Sequence, residues 1–179
     1  MADRRNIPNI KIEGATLIFK NFQGKGNDYN KEGDRNFGVL LPDDIAEIAA
    51  NDGWRVKRRP PRDDGYEQPW LSVKVKYGKY PPIINLITSK GKQKLTEETV
   101  GQLDWTQIAS VDLIIRPYSY DELRDKNGKV MREAGVSAYL KSMYVTVQED
   151  DLDKKYANIP DLDDPQFIPP EEDEEVPFN

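Results

Sequence analysis

Apolar and polar residues alternate along several segments of the chain, and this two-residue period predicts a protein built mainly from β-strands. In the clearest segment, residues 69–77, an apolar face alternates with a second face formed by Trp70, Ser72, Lys74 and Lys76. The same period predicts further strands at residues 10–22 (apolar face Ala15, Leu17 and Phe19, with a bulge or bend at Gly14), 35–41, 54–59, 81–88, 111–120 and 136–147.

Helical patterns are short and few. Residues 42–51 begin with a proline and two acids and have one apolar face, which predicts a helix that ends at Gly53. Residues 96–103, with Thr96 as N-cap, and residues 150–156 predict one further short helix each. Six or seven strands with short connections favour antiparallel pairing around a small core. We therefore expect a barrel or half-barrel of mainly β or α+β class, with short inserted helices.

The 179 residues include neither Cys nor His. This composition excludes disulfides, thiolate zinc sites, cysteine nucleophiles and Ser–His–Asp triads, and it removes the commonest general base. The chemistry that remains is that of carboxylates with magnesium, that of lysine, or none. Because no apolar stretch approaches the ~18 residues that cross a bilayer, and no signal peptide is visible, we expect no membrane partner and a cytoplasmic location.

Charge is distributed unevenly along the chain. Of the 32 acidic and 26 basic residues, residues 148–179 hold 12 acidic and two basic ones, which leaves 20 acidic and 24 basic in residues 1–147. A body with net charge +4 is thus followed by a tail with net charge −10. Residues 55–94 are the electropositive centre, with 11 basic residues and three acidic ones. Such asymmetry points to a polyanionic partner or to a tail that shields its own body.

Basic residues and aromatic rings share faces of the predicted strands. In segment 54–59, Arg55, Lys57 and Arg59 fall on one side, while Trp54 is in phase with the core. Single-stranded nucleic acid is bound by cations that contact phosphates and by flat rings that stack on unpaired bases. The competing interpretation is a solvated sheet face, with several of the tyrosines in the core. The candidate binding residues on this pattern are Arg55, Lys57, Arg59, Trp70, Lys74, Lys76, Lys79, Tyr80, Arg116, Tyr118, Tyr139 and Lys141.

Signals for catalysis are weak. The glycine–lysine segment 24–26 lacks the spacing of a phosphate-binding loop. The acid pairs at 43–44, 63–64 and 121–122 are of a type that holds magnesium, but they are dispersed and predict no shared face. Lys90, Lys92 and Lys94 fit a phosphate-contacting hairpin or loop better than a catalytic lysine. We expect no cofactor and no enzymatic activity.

The sequence divides into three parts. Residues 1–9 are predicted to form a flexible arm and residues 10–157 the folded body with the candidate binding surface. Residues 158–179 carry eight acids and no base, together with several prolines. Because such a segment cannot bury enough apolar surface to offset its ordering entropy, we expect a disordered acidic tail.

The end of that tail resembles a known family. Acidic residues followed by Val-Pro-Phe are similar to the terminus of bacterial and bacteriophage single-stranded DNA-binding proteins, although Asn179 follows the phenylalanine here; the matching residues are Glu171, Glu172, Asp173, Glu174, Glu175 and Phe178. In the body, Arg35–Asn36–Phe37 and the segment 111–118 resemble phage-encoded proteins of this type.

The resemblance implies an OB-fold whose groove binds single-stranded DNA (ssDNA) without sequence preference during phage replication or recombination in a bacterial host cell. It adds Arg35 and Phe37 to the candidate site. It also implies that the acidic tail competes with DNA and recruits phage or host replication proteins. The alternatives are a magnesium-dependent phage nuclease or recombination enzyme, and a non-catalytic interaction protein whose acidic tail mimics nucleic acid. A homodimer is compatible with each of these.

Overall fold

The computed structural model describes residues 6–28, 30–160 and 162, and it consists mainly of β-strands, as the alternating pattern predicts. Residues 1–5 of the expected arm and residues 163–179 of the expected tail lie outside the described residues. The tail positions that carry the family resemblance are among them. None of the helices in the described part of the chain is long and apolar enough to cross a membrane.

The described strands are more numerous than the sequence pattern predicts, and the two longest of them exceed their predicted bounds. They are β1 (Ile10–Ile12), β2 (Leu17–Asn21), β3 (Arg35–Leu40), β4 (Val56–Arg58), β5 (Pro69–Val75), β6 (Ile83–Thr88), β7 (Gly91–Leu95), β8 (Ile108–Tyr120), β9 (Leu123–Arg124), β10 (Val130–Arg132) and β11 (Gly135–Val147). Helix α1 (Asp43–Asp52) follows β3, a 3₁₀ helix (Val100–Asp104) precedes β8, and α2 (Asp151–Lys155) follows β11.

Strand β11 is at the centre of the sheet, whose order is β1-β8-β11-β5-β3-β2. It pairs antiparallel with β8 over most of its length, and parallel with β5 at one end and with β6 at the other. Strand β4 pairs with β5, and β7 pairs with β6. The expected antiparallel pairing is thus dominant, but the two parallel pairs join strands far apart in sequence, which short connections alone do not predict.

The hydrogen-bonded sheet does not close into a barrel. Its two edge strands, β1 and β2, nevertheless follow each other directly in the chain and are joined by a bend. Strand β1 pairs with β8 and β2 pairs with β3, and only residues 13–16 separate β1 from β2. Gly14 adopts a positive φ of 66° at this bend, which a glycine adopts without steric cost. The Ala15 N–H then donates to the Val111 carbonyl at 2.7 Å, and the Leu40 N–H donates to the Thr16 carbonyl at 3.0 Å. The segment therefore bridges the two edges around one core.

The inner face of the sheet is the apolar face that the alternation predicts. Leu71, Val73 and Val75 of β5 are buried, and so is Trp54, which the phase of its segment assigns to the core. Burial of this face leaves the polar side of β5 in solvent. The period of two thus determines which residues of β5 are available to a ligand.

Helix α1 matches its sequence signals, whereas the helix predicted at residues 96–103 does not form. Gly53 ends α1 with φ of 95° and donates to the carbonyls of Ala49 and Ala50. In place of the second helix, a turn precedes the 3₁₀ helix, and no side chain caps it. The Thr99 hydroxyl accepts a hydrogen bond from the Thr96 N–H at 2.7 Å, and such local bonds between side chain and backbone favour a turn over an α-helix.

Candidate nucleic-acid interface

Three adjacent strands bring a cation, an aromatic ring and a second cation into a row on the outer face of the sheet. The register pairs Lys74 of β5 with Tyr139 of β11, and Tyr139 with Arg116 of β8. The Lys74 Nζ lies 5.7 Å from the centroid of the Tyr139 ring, and the Arg116 Cζ lies 5.2 Å from it. Both distances are typical of cation–π contacts. The strand pairing itself therefore fixes this arrangement.

Two further tyrosines extend this row into a groove. Tyr80 lies 5.7 Å from the Arg116 Cζ, and Tyr118 packs edge-on against Tyr139 with 5.8 Å between ring centroids. Tyr80 and Tyr118 are 64% and 55% exposed, so most of each ring is open to solvent. The groove has a volume of about 380 Å³ and is also lined by Lys76 and Lys79. We call Lys74, Tyr80, Arg116, Tyr118 and Tyr139 the tyrosine group.

A second aromatic group surrounds Trp70 on the same outer face. Lys57 of β4 is the register partner of Trp70, and its Nζ lies 5.0 Å from the indole ring. The Phe19 ring packs edge-on against Trp70 with 5.2 Å between centroids. Gly38 makes room for the indole, because a Cβ there would lie 2.9 Å from the Trp70 ring. We call Phe19, Lys57 and Trp70 the tryptophan group.

Tyr120 forms a third cation–aromatic contact near the end of β8. The Arg55 Cζ lies 5.2 Å from its ring centroid and the Arg132 Cζ lies 4.5 Å from it. Gly135 is the register partner of Tyr120, and a Cβ at that position would lie 2.6 Å from the tyrosine oxygen. Cations and rings are therefore interleaved from β4 across β5 and β11 to β8.

A family model described as "Putative phage ssDNA-binding domain" matches residues 1–176 of the chain. The chain belongs to this family. The expected relation to phage ssDNA-binding proteins is thus confirmed, and ssDNA binding is the function that the family assigns to this protein.

Solved structures of phage ssDNA-binding proteins share the fold. The ssDNA-binding protein from bacteriophage Enc34 in complex with ssDNA matches with a TM-score of 0.51 and 14% identity, over 79% of this chain and 88% of that chain. A C-terminal truncation of the Enc34 protein matches with a TM-score of 0.50 and 12% identity, over 79% and 87%. Comparison with curated proteins found no match. The family is thus that of an ssDNA-binding domain, and the solved structures share the fold of this chain.

Of the two residues that the family resemblance suggested, Phe37 lies in the core, whereas Arg35 lines a groove that Lys74, Lys76 and Tyr139 also line. Phe37 is 1% exposed and stacks on Phe22 in the core, so its ring is inaccessible to a base. The Arg35 guanidinium forms an ion pair with Glu97 at 3.3 Å and lies 5.7 Å from the Tyr77 ring. Burial raises the pKa of the Tyr77 phenol, which therefore stays neutral beside this arginine.

The remaining predicted residues are exposed but differ in their surroundings. Lys79 lies against Tyr80, with 5.5 Å from its Nζ to the ring, at the mouth of the tyrosine groove. Arg59 follows β4, and its backbone N–H donates to the Gln68 carbonyl. Lys141 lies at the bulge in β11, between Leu140 and Ser142. Lys79 thus extends the aromatic surface, whereas Arg59 and Lys141 add charge beside it.

The sequence pattern misses Phe19 of the tryptophan group. Alternation along the first segment places Phe19 in phase with Leu17 and hence in the core, but the structure leaves its side chain 64% exposed. The cause is a bulge in β2, which sets Phe19 and Lys20 opposite a single residue of β3. One extra residue reverses the phase of a strand, and no turn-forming residue marks the position.

Within the described residues, no group of three or more acidic side chains is arranged to hold a metal ion. Each of the three acid pairs that the sequence raised as magnesium candidates has local contacts, and in the third pair Glu122 forms an ion pair with Arg124 at 3.1 Å. The Asp43 carboxylate accepts a hydrogen bond from the Tyr66 hydroxyl at 2.8 Å, and the Asp64 carboxylate accepts one from the Tyr66 N–H at 2.9 Å. These two acids therefore help to hold the loop before β5 against α1.

Proposed function

We propose that this protein binds ssDNA without sequence preference across the outer face of the sheet, from the tryptophan group to the tyrosine group. The observation that carries the proposal is the row formed by Lys74, Tyr139 and Arg116, in which cations flank an aromatic ring across three strands. The Enc34 protein whose fold it shares has been solved in complex with ssDNA.

The chemistry of this face suits a flexible single strand. Every base has a π-face, so stacking on tyrosine or tryptophan tolerates any sequence and contributes about 1–3 kcal/mol per base. Lysine and arginine beside each ring lie where the phosphates of the stacked nucleotide pass. Trp70 and Lys74 are four residues apart on β5, about 13 Å at the rise of an extended strand, so the face spans more than one nucleotide.

The biological role that fits this activity is protection of ssDNA during phage replication or recombination. The tail of net charge −10 supports a further part of the proposal, in which the tail competes with DNA for the basic body and recruits replication proteins. A tethered competitor acts at an effective concentration on the order of millimolar, so even weak contacts would occupy the surface for part of the time.

Fluorescence anisotropy with a labelled oligothymidylate tests the interface. We expect binding to weaken by about 1–3 kcal/mol in each of three variants, Tyr80→Ala, Tyr118→Ala and the charge reversal Lys74→Glu. Their circular dichroism spectra should stay unchanged. Tyr156→Ala is the matched control, because Tyr156 is an exposed ring at the end of α2 that lies 5.3 Å from the Lys155 Nζ and belongs to neither group.

Three outcomes would contradict the proposal. Unchanged affinity in folded variants of the tyrosine group would remove this face from the site. Equal affinity for a duplex of the same length would argue against stacking on unpaired bases. Magnesium-dependent degradation of the labelled oligonucleotide would favour the nuclease alternative.

A further inference from the structure

A second cleft lies beside the tryptophan group, on the side away from the tyrosine group. It has a volume of about 810 Å³, and Phe19, Trp70 and Trp105 contribute its aromatic walls. Trp105 is 68% exposed, the most exposed of the three tryptophans, although it follows a 3₁₀ helix whose Val100 and Leu103 are buried. Together with Phe19 and Trp70 it forms one exposed apolar patch, and such a patch marks a ligand-binding site.

The backbone of Phe19 is strained so that its ring faces this cleft. Its φ is 50°, in the left-handed region that residues other than glycine, asparagine and aspartate rarely adopt. The bulge that reverses the phase of β2 produces this conformation and carries the ring outward, against the edge of Trp70. Strain that places an apolar ring in solvent has no benefit for the core, and such strain concentrates at ligand-binding sites.

Two sets of hydrogen bonds hold Trp105 in place across from β2. The Lys20 Nζ donates to the Leu103 carbonyl at 2.8 Å and to the Thr106 carbonyl at 3.4 Å. The Asp104 carboxylate accepts the Phe22 N–H at 2.6 Å and the Gln23 N–H at 3.0 Å. Because these bonds join the residues on both sides of Trp105 to the strand that carries Phe19, the walls of the cleft are fixed relative to each other.

Three of the amides that line the cleft help to build its loop. Asn21 exchanges two hydrogen bonds with the backbone of Lys25, and Asn30 donates to the carbonyls of Lys25, Lys31 and Asp34. Asn36 donates to the Asn30 side chain at 2.7 Å. Side chains bonded in this way offer few groups to read the edge of a base, so the aromatic walls dominate what the cleft can recognise.

We propose that this cleft binds one unpaired nucleobase of the DNA strand, of any of the four types, by stacking against Trp105 with Phe19 and Trp70 as the facing wall. The exposed Lys25 at its rim is placed to contact a phosphate of that nucleotide. This inference rests on the proposed function and extends the path of the strand past Trp70, to a site completed by Phe19 and Trp105, two residues that the sequence pattern does not select.

The experiment compares an oligothymidylate with an all-abasic oligomer of equal length, which has the phosphates but no bases. For the wild-type chain we expect the oligothymidylate to bind more tightly. Trp105→Ala should reduce the ratio of the two affinities about fivefold or more, while affinity for the abasic oligomer stays the same. Phe19→Ala should reduce the ratio in the same way, and Trp105→Phe, which keeps a ring, should restore part of it.

Tryptophan fluorescence gives a second readout. In a Trp70→Phe background the two remaining tryptophans are Trp105, which is exposed, and Trp54, which is 4% exposed. Oligothymidylate should quench the fluorescence of the exposed Trp105, whereas the abasic oligomer should not. Adding Trp105→Phe to this background should abolish the quenching.

The outcomes separate this inference from the proposed function. If folded Trp105→Ala and Phe19→Ala variants keep the wild-type ratio while Tyr80→Ala reduces it, the cleft holds no base and the tyrosine group still binds DNA. If the wild-type chain does not distinguish the two oligomers, both proposals fail. Tyr156→Ala, an exposed aromatic outside both groups, should leave the ratio unchanged.

Discussion

Phe19 combines a strained backbone with an exposed ring, so its contributions to stability and to binding oppose each other. A left-handed conformation costs a residue with a Cβ about 1–2 kcal/mol, and glycine avoids this cost. With 64% of the side chain in solvent, little apolar burial compensates for it. The conformation of Phe19 therefore exposes its ring to a ligand and does not stabilise the fold.

Phe19→Gly and Phe19→Ala form a matched pair that separates the two contributions. Both remove the ring and should weaken oligothymidylate binding equally. Only glycine relieves the strain at φ of 50°, so Phe19→Gly should be more stable than Phe19→Ala by about 1 kcal/mol. Urea unfolding and anisotropy titration measure the two effects, and equal stability of the pair would show that the backbone there is not strained.

Two phenylalanines show how far the sequence pattern determines the site. Alternation assigned Phe19 to the core, and the family resemblance assigned Phe37 to the DNA-binding surface; the structure exposes the first and buries the second. The period of two holds along β5, where no residue interrupts the pairing, and the outward Trp70 and Lys74 are accordingly predictable. Along β2 a single extra residue reverses the faces, and the tertiary pairing that creates this bulge leaves no local signal.

At the scale of elements, a strand that the sequence does not predict depends on a neighbouring strand whose other partner is distant in the chain. The lysine-rich segment after Ser89 forms β7 because β6 offers it an edge, and β6 in turn pairs parallel with β11. Lysine alternating with glycine and glutamine has no apolar period to mark a strand. The segment that the sequence assigns to a hairpin or loop forms a hairpin. Its position beside β11 is determined by the pairing of β6 with β11, which the local sequence does not predict.

The turn of the β6–β7 hairpin is attached to the end of β11 by one carboxylate. Glu149 accepts hydrogen bonds from the Ser89 hydroxyl and from the Ser89 N–H. The Ser89 hydroxyl, and after it the Ser89 N–H, lower the pKa of Glu149. A carboxyl whose pKa is lower in the folded state stabilises that state above its ordinary pKa, and this contribution is lost as the pH falls through the lowered pKa.

Glu149→Gln should therefore lower the urea midpoint at neutral pH, and the difference from the wild type should shrink as the pH falls through the lowered pKa of Glu149. Ser89→Ala should show the same pH dependence, because it removes the larger cause of the shift. Glu47→Gln on the exposed side of α1 is the control. A difference that stays constant from neutral pH into acid would show that the carboxylate charge plays no part in the attachment.

At the scale of the whole molecule, the basic body and the acidic tail make opposite contributions to DNA binding. Deletion of residues 158–179 should tighten oligothymidylate binding, most at low salt and progressively less as added ions screen the tail. The buried Ala157 is retained in this truncation, so the unfolding midpoint should stay nearly unchanged. A full-length variant with Gln and Asn in place of the acids at 171–175 separates charge from length. Weaker binding by the truncated chain would mean that the tail contributes to the DNA site.

The central position of β11 has a consequence for the order in which the molecule can assemble during its synthesis. Strand β1 pairs with residues 113–115, so at about 5–20 residues per second a ribosome takes on the order of 5–20 s to supply its partner after making Ile12. Even then, β5, β6 and β8 lack the strand that joins them until residue 147 is added. Folding of the sheet therefore follows translation of nearly the whole body. A premature stop codon within β11 removes the element that three strands share, whereas one placed after Ala157 leaves the sheet complete.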